Sequence, residues 1–144
     1  MRFWDASALV SLVVAEAGSE LVGPWLRQDP EIVIWGWTRI ELVSAVERRA
    51  REGRLSGAQR RATLARIERL ANDAHEVLDL PAVRVRAAAV LARQPLRAAD
   101  AAQLGAALLV ADPNPGSLEM VVLDRRLADA AEREGLVVRS WPDR

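Results

Sequence analysis

Five short apolar stretches, separated by segments of helical character, set the strongest constraint on how this chain folds. They lie at residues 2–5, 31–35, 75–80, 119–123 and 136–140. Their hydropathy is continuous rather than alternating, which indicates strands that are buried on both faces. Strands that alternate with helices predict an α/β fold, here a three-layer α/β/α sandwich with a mainly parallel central sheet.

The segments between these strands have the patterns of helices. The predicted helices cover residues 7–29 with a break near Gly18, and then 38–52, 56–74, 81–94, 96–109 and 124–135. Pro81 favours the first turn of its helix, and residues 111–117 are predicted to form a loop. Because no linker or internal repeat divides the sequence, residues 1–144 are expected to form a single domain.

The composition excludes several kinds of chemistry. The chain has no cysteine and no lysine, and its only histidine is His75. Disulfides, cysteine nucleophiles and lysine-dependent mechanisms are therefore excluded, and a Ser-His-Asp triad is not expected. The net charge of zero gives no overall signature of a nucleic-acid binder, although a neutral total can combine a basic face with an acidic pocket. The N-terminus lacks a signal-peptide pattern and no apolar run could span a bilayer, which predicts a soluble, cytoplasmic protein.

Three acidic residues stand at predicted helix starts, where a purely structural role is available to each. An acid at this position caps backbone N–H groups and opposes the helix dipole. Thr38 and Glu41 have the spacing of a capping box, and Asp100 with Gln103 fits the same spacing. Asp124 has the place of a simple N-cap.

A fourth acid, Asp5, is the least cap-like, because it ends an apolar strand and Ser7 is the better cap for the following helix. The carboxyl ends of parallel strands share one edge of a sheet, and ligands bind there. Asp5, Glu41 and Asp124 follow strands directly or within one helical turn, whereas Asp100 reaches that edge only if the preceding connection crosses over there. Four carboxylates in one cleft would repel one another, but Mg²⁺ or Mn²⁺ would relieve that repulsion and serve phosphodiester hydrolysis.

Four blocks of the sequence resemble, in order, the blocks of PIN-domain proteins, and most closely the VapC-type toxins of bacterial toxin–antitoxin pairs. The blocks are FWDASALVSLVVAEAGSE, TRIELVSAVERR, LRAADAAQLGAALL and VVLDRRLADAAEREGLVV. The D-x-S-A-L start, the D-A-x-x-L-x-A-A helix and the D-R-R-L-A-x-A-A ending are specific in combination, while residues 53–80 are not diagnostic.

The resemblance implies an α/β/α fold and an endoribonuclease that depends on Mg²⁺ or Mn²⁺. It also implies a homodimer and a cognate antitoxin whose tail occupies the cleft. The family's acidic quartet, with catalytic and metal-binding roles, matches Asp5, Glu41, Asp100 and Asp124. Ser7 matches a residue that orders the first aspartate or a metal-bound water. Val122 departs from the pattern, because many relatives have Thr or Ser two residues before the last acid.

Basic residues give candidate contacts to RNA phosphates. Residues 48–69 contain eight arginines against only two acids, Glu52 and Glu68. Arg48 and Arg51 are therefore candidate substrate contacts. A solvated face of Arg–Glu pairs and a contact with the antitoxin are the alternatives. Arg97, one turn before Asp100, is expected either to pair with a cleft acid or to meet a substrate phosphate.

The five tryptophans divide by position. Trp4 and Trp35 lie in strand patterns and are expected in the core. Trp37 precedes Glu41 in a loop, where it either packs in the core or a dimer interface or stacks on a base.

Two other functions fit acids at strand ends. A Mg²⁺-dependent phosphoacceptor or phosphatase of another α/β fold would normally use a lysine, and one class needs D-x-D where this chain has Asp5-Ala6-Ser7. A non-catalytic binding module with a degenerate site is the second alternative.

Overall fold

The computed structural model describes residues 1–142, which contain a five-stranded sheet with every strand parallel to its neighbours. The strands follow the order β3-β2-β1-β4-β5 across the sheet. Their bounds are β1 Arg2–Trp4, β2 Ile32–Trp35, β3 His75–Val77, β4 Glu119–Val121 and β5 Val137–Arg139. The central strand β1 pairs with β2 on one side and with β4 on the other. The predicted α/β class and parallel sheet are confirmed.

Seven α-helices within residues 1–142 connect the strands. They are α1 Ala6–Val13, α2 Ser19–Gln28, α3 Thr38–Arg51, α4 Gly57–Asp73, α5 Leu80–Leu91, α6 Ala98–Ala111 and α7 Arg125–Arg133. A short 3₁₀ turn, Pro115–Ser117, precedes β4. None of the helices in this part of the chain is long and apolar enough to cross a membrane.

Alternate residues of the strands point to opposite faces of the sheet and so build two cores. Phe3 packs with buried residues of α5, α6 and α7 on one face. Trp4, the next residue along β1, packs with buried residues of α1 to α4 on the other face. Both side chains are completely buried. Helices on both faces of one sheet confirm the three-layer sandwich and explain why the strands are apolar throughout.

The predicted third strand over 75–80 is wrong in its second half. The strand ends at Val77, and Asp79 becomes the N-cap of α5 by accepting a hydrogen bond of 3.0 Å from the backbone N–H of Ala82. Pro81 then lies in the first turn, where its missing N–H costs no hydrogen bond. The other predicted boundaries move by only a few residues, as is usual at fraying ends.

A close helix–helix contact supports the position of α6. A Cβ atom added at Gly105 would lie 2.9 Å from the backbone N of Ala87 in α5. The absence of a side chain at this position therefore lets the two helices approach closely, and α6 in turn carries Asp100 in its first turn.

Candidate active site

A cleft of about 620 Å³ opens at the carboxyl edge of the sheet, where the chain leaves β1, β2 and β4. Its lining comes from the starts of α1 and α6, from α3 along most of its length, and from the residue before α7. The charged and hydroxyl-bearing residues that line it are Ser7, Glu41, Ser44, Arg48, Arg49, Arg97, Asp100 and Asp124. The connection before α6 thus does bring Asp100 to the same edge as the other acids.

Asp5 is the N-cap of α1, which corrects the prediction that Ser7 has that role. Its carboxylate accepts a hydrogen bond of 2.9 Å from the backbone N–H of Ser7. The Ser7 hydroxyl instead accepts hydrogen bonds from two backbone N–H groups that follow β4, those of Leu123 at 2.9 Å and Asp124 at 3.1 Å. Ser7 therefore ties the start of α1 to the exit of β4.

Asp124 caps α7, as its position predicted. The carboxylate of this exposed residue accepts a hydrogen bond of 2.8 Å from the backbone N–H of Leu127. Val122, which replaces the hydroxyl residue of many relatives, is completely buried in the sheet core. The backbone N–H of Asp124 is held by Ser7, so its orientation does not depend on a hydroxyl at Val122.

The predicted capping box at Thr38 and Glu41 does not form. The N-cap of α3 is Trp37, which makes no side-chain cap bond, and Thr38 is buried inside the first turn. The Glu41 carboxylate accepts a hydrogen bond of 3.0 Å from the side-chain N–H of Gln103. The same amide group donates to the Thr38 hydroxyl, also at 3.0 Å.

Asp100 is not a cap either, because the N-cap of α6 is Arg97. Asp100 occupies the first turn of the helix and is half-buried, with its position on the cleft wall. The predicted Asp100–Gln103 box therefore fails, since Gln103 is turned toward Glu41. Neither Glu41 nor Asp100 caps a helix, so capping does not explain why an acidic residue stands at these two positions.

Burial and mutual repulsion raise the proton affinities of the two deepest acids. Asp5 is 4% exposed, and loss of hydration raises its pKa to about 6, with a smaller contribution from the charges of Asp100 and Asp124. Ser7 opposes this shift through hydrogen bonds. Desolvation also raises the pKa of Glu41 to about 7, and the charges of Asp5 and Asp100 add to it.

Desolvation, followed by the charge of Asp124, also raises the pKa of Asp100. Two arginines, Arg97 and Arg126, oppose that shift through their positive charge. The four acids therefore interact electrostatically within one partly dehydrated site. Oxygen is the only donor that they offer, and hard divalent cations prefer oxygen donors. Within residues 1–142, however, no group of three or more histidine, cysteine, aspartate or glutamate side chains is arranged so that it could hold a metal ion.

Two residues near the acids were not predicted as site residues. Gln103 carried a usable signal, because it is a polar residue in an otherwise alanine- and leucine-rich helix that is mostly buried. Its side-chain carbonyl is buried without a hydrogen-bond partner among the described residues. Arg126 carried no such signal, since nothing in the sequence distinguishes it from its neighbour Arg125.

The arginine-rich segment 48–69 contributes only part of its charge to the cleft. Arg48 and Arg49 line it, but Arg49 also donates to Glu16 at 2.6 Å. Arg60 forms an ion pair with Glu47 on the α3–α4 surface. Arg51 is exposed and lies outside the cleft lining. Arg97 does line the cleft, next to the N-terminal turn that carries Asp100.

Two tryptophans lie where the sequence predicted them, and for a third the structure excludes one of the alternatives. Trp4 and Trp35 are buried in the cores on opposite faces of the sheet. Trp37 is 58% exposed and lines the cleft, so it does not pack in the core of this chain.

The fold is an α/β/α sandwich with a parallel sheet, and its carboxylates gather beyond the strand ends. Domains of this class bind ligands at this edge of the sheet. The family model described as PIN domain matches residues 2–133. The chain therefore belongs to the PIN-domain family, which confirms the resemblance seen in its sequence blocks. PIN domains are generally nucleases, so membership supports a nuclease as the class of this protein. No curated protein sequence matches the chain.

Several solved structures share the fold. A "Toxin-antitoxin complex from Klebsiella pneumoniae" has a TM-score of 0.63 at 15% identity, covering 86% of this chain and 87% of that one. FitAcB from Neisseria gonorrhoeae has a TM-score of 0.67 at 19% identity, covering 96% of both chains. FitAB bound to an IR36 DNA fragment has a TM-score of 0.67 at 18% identity, covering 97% and 94%. At these identities the likeness demonstrates the fold.

Proposed function

We propose that this PIN-domain protein is a metal-dependent endoribonuclease that hydrolyses RNA phosphodiester bonds in the cytoplasm. The observation that carries the proposal is the cleft at the carboxyl edge, whose wall holds the carboxylates of Glu41, Asp100 and Asp124. Asp5 does not line the cleft, but its buried carboxylate interacts electrostatically with all three in a partly dehydrated site. Such an arrangement is unfavourable without a compensating cation. PIN domains are generally nucleases, which supports a hydrolytic role for that cation.

The residues that would hold Mg²⁺ or Mn²⁺ are Asp5, Glu41, Asp100 and Asp124. Because no three of them are arranged within residues 1–142 so that they could hold an ion, their side chains would have to draw closer together on binding it. Their oxygen-only donor set fits hard divalent ions, and such ions keep several water ligands, so the carboxylates need not all bind directly. A bound cation would stabilise the ionised carboxylates of Asp5 and Glu41 in place of the water that burial removes, and would therefore lower their pKa values. When bound, the ion activates a water, orients the scissile phosphate and stabilises the charge that develops on it.

The other residues position these acids and the RNA. Ser7 fixes the backbone at Asp124 relative to the start of α1, and its N–H orients the Asp5 carboxylate. Gln103 holds the Glu41 carboxylate by a direct hydrogen bond. Arg48 and Arg97 flank the cleft and supply positive charge for the phosphates on either side of the cleaved bond. Arg51 would contact only RNA that extends beyond the cleft.

We further propose that the protein is the toxin of a toxin–antitoxin pair, with a homodimer as its resting assembly. Structures described as a toxin–antitoxin complex and as FitAB share its fold, which supports a protein partner of this kind. Co-expression with the protein encoded next to it, followed by light scattering of the purified species, tests both statements. A complex that suppresses cleavage is expected, and a free chain that is monomeric and is never inhibited contradicts them.

A non-catalytic PIN-like binding module is the competing function. It is favoured by the finding that no three potential ligands within residues 1–142 are arranged so that they could hold a metal ion. Membership of the PIN-domain family and the missing lysine disfavour the phosphoacceptor and phosphatase alternative.

The decisive experiment is cleavage of RNA by the purified chain with and without Mn²⁺ or Mg²⁺. Asp100→Asn is the test variant, because it removes one charge with little change in volume. Asp129→Asn is the matched control, because Asp129 is exposed on α7 and does not line the cleft. Cleavage that requires the metal and is lost only in Asp100→Asn is expected. A folded chain that neither cleaves RNA nor binds Mn²⁺ at millimolar concentration supports the binding module instead.

A further inference from the structure

Three arginines line the cleft, and Arg49 differs from the other two in how it is held. Arg48 and Arg97 are exposed. The Arg49 side chain is only 13% exposed, and its guanidinium donates to the backbone carbonyl of Ala45 at 3.0 Å and to the Glu16 carboxylate at 2.6 Å. The protein therefore determines the place of this guanidinium before any ligand binds.

Glu16 is itself ordered by the connection between α1 and α2. Its carboxylate accepts a hydrogen bond of 2.7 Å from the Ser11 hydroxyl, and its backbone N–H donates to the Ser19 hydroxyl at 3.0 Å. A Cβ atom at Gly18 would lie 2.5 Å from the Ser11 hydroxyl oxygen, so the glycine leaves room for that hydroxyl. Glu16 thus presents a fixed carboxylate to Arg49.

The contact with Glu16 reaches Arg49 from outside the cleft. A second cavity of about 380 Å³ lies beside the cleft, lined by the end of α1, the residues that follow it, and parts of α3 and α4. Among the described residues, Arg49 alone lines both cavities, and Glu16 lines only the second. A guanidinium has five N–H donors, so it can keep both protein contacts and still donate to an anion in the cleft.

We propose that Arg49 binds a phosphate that flanks the cleaved bond, and that Glu16 is the positioning residue that orders it. This inference rests on the proposed ribonuclease function and adds a binding residue together with its support. Arg49 follows Glu41 by eight residues, a rise of about 12 Å along α3, so it serves a neighbouring phosphate rather than the one at the acids. An arginine that is already ordered loses less side-chain freedom when it binds the phosphate.

Glu16 has two opposite effects on RNA binding, and they can be separated. Its negative charge disfavours RNA, whereas its hydrogen bond orders Arg49. Because Glu16 lies outside the cleft and the Debye length is about 8 Å at physiological salt, we expect the ordering effect to be the larger. Glu16→Ala and Glu16→Gln remove the same charge, but only glutamine keeps an acceptor for the guanidinium. The difference between these two variants therefore reports the ordering alone.

RNA binding in an Asp100→Asn background tests the proposal without cleavage. The probe is a short fluorescent RNA oligonucleotide of mixed sequence, titrated in Mn²⁺ at several salt concentrations. Arg49→Ala is expected to weaken binding on the order of tenfold and to lower the slope of log affinity against log salt by about 0.7, the share of one phosphate contact. Arg49→Lys should also bind more weakly but keep the slope, because lysine keeps the charge and loses the planar fork.

The variants of Glu16 test its positioning role. Glu16→Ala should weaken RNA binding, Glu16→Gln should retain much of the affinity, and Glu16→Ala should add nothing in an Arg49→Ala background. Glu47→Ala is the matched control, because it breaks a carboxylate–arginine pair with Arg60 that does not line the cleft. That control should leave RNA affinity unchanged. Thermal melting of every variant confirms that the measured chain is folded.

Four results overturn the proposal. Equal or tighter binding by both Glu16 variants would show that Glu16 only counters the charge of Arg49. Full affinity in Arg49→Lys would show that an ordered fork is not needed. Unchanged affinity and slope in a folded Arg49→Ala, or no RNA binding by the parent chain, would remove the phosphate contact. Unchanged RNA affinity together with a weaker complex with the protein encoded next to it would assign Arg49 to that partner.

Failure of the catalytic proposal is recognised separately, with Asp100 intact. A chain that binds RNA through Arg49 but does not cleave it contradicts the ribonuclease and leaves the phosphate contact standing. In an active chain, Arg49→Ala should raise KM with kcat unchanged, since a flanking phosphate is bound equally before and during the reaction. Cleavage by Arg49→Ala with an unchanged KM contradicts only the role of Arg49.

Discussion

Replacement of the most deeply buried acid is predicted to stabilise this protein when no metal is present. In Asp5→Asn the amide oxygen can still accept the hydrogen bond from the Ser7 N–H, so the cap of α1 is kept. The variant cannot ionise, however, and therefore avoids the cost of a charge that is almost completely removed from water and faces other carboxylates.

The size of the effect follows from the raised pKa of Asp5. Folding moves this pKa from its ordinary value of 3.8 to about 6, which at about 1.36 kcal/mol per pKa unit costs about 3 kcal/mol once the group is ionised in both states. The stability contributed by the protonated group is fully present below pH 3.8 and is lost as the pH rises through about 6. The advantage of Asp5→Asn is thus about 3 kcal/mol at pH 8 and about 1 kcal/mol at pH 4.5.

Thermal and urea unfolding in EDTA at these two pH values measure the effect. At pH 8, Asp5→Asn should melt roughly 10 °C above the wild type, and the gap should narrow at pH 4.5. Asp129→Asn, the exposed control, should not change the melting temperature. Saturating Mn²⁺ should stabilise the wild type more than the variant. A variant that is less stable than the wild type at pH 8, or equally stabilised at both pH values, would show that ionised Asp5 does not destabilise the fold.

Substitutions at three other positions test the contacts that shape the cleft. Ser7→Ala leaves two backbone N–H groups without their acceptor and should lower the free energy of unfolding by about 1–3 kcal/mol, measured by urea denaturation. Gln103→Leu removes the donor to Glu41 and should weaken Mn²⁺ binding in calorimetry; unchanged affinity would show that the hydrogen bond does not position that ligand. Gly105→Ala should destabilise by about 1–3 kcal/mol through the clash with α5, whereas alanine at an open helix site would stabilise.

Local patterns were sufficient to predict the layers of the fold. The strands are short and apolar because both of their faces are covered, and Phe3 and Trp4 show this directly by packing on opposite sides. The error at residues 78–80 arose because the apolar run continues past the strand. The Asp79 cap and Pro81 together begin α5 earlier than hydropathy alone indicates.

Topology determines which acids come together in the site, whereas only tertiary contacts determine their hydrogen-bond partners. Parallel strands bring their carboxyl ends to one edge, so Asp5, Glu41 and Asp124 could be grouped from the sequence. The partners of those groups could not be predicted, because Gln103 is 62 residues from Glu41 and its amide competes with the local capping box for the carboxylate. The exposure of Trp37 was equally inaccessible, since its sequence position suits a core residue or a cleft residue.

Anomalous diffraction from crystals soaked in Mn²⁺ shows directly whether the four acids form a metal centre. We expect a single strong peak, or a close pair of peaks, between Asp5 and the cleft residues Glu41, Asp100 and Asp124. That peak should be weakened or lost in crystals of Asp100→Asn. Ordered crystals at saturating Mn²⁺ with no peak in the cleft, or with a peak only at the protein surface, would contradict the claim that these four acids form a metal centre.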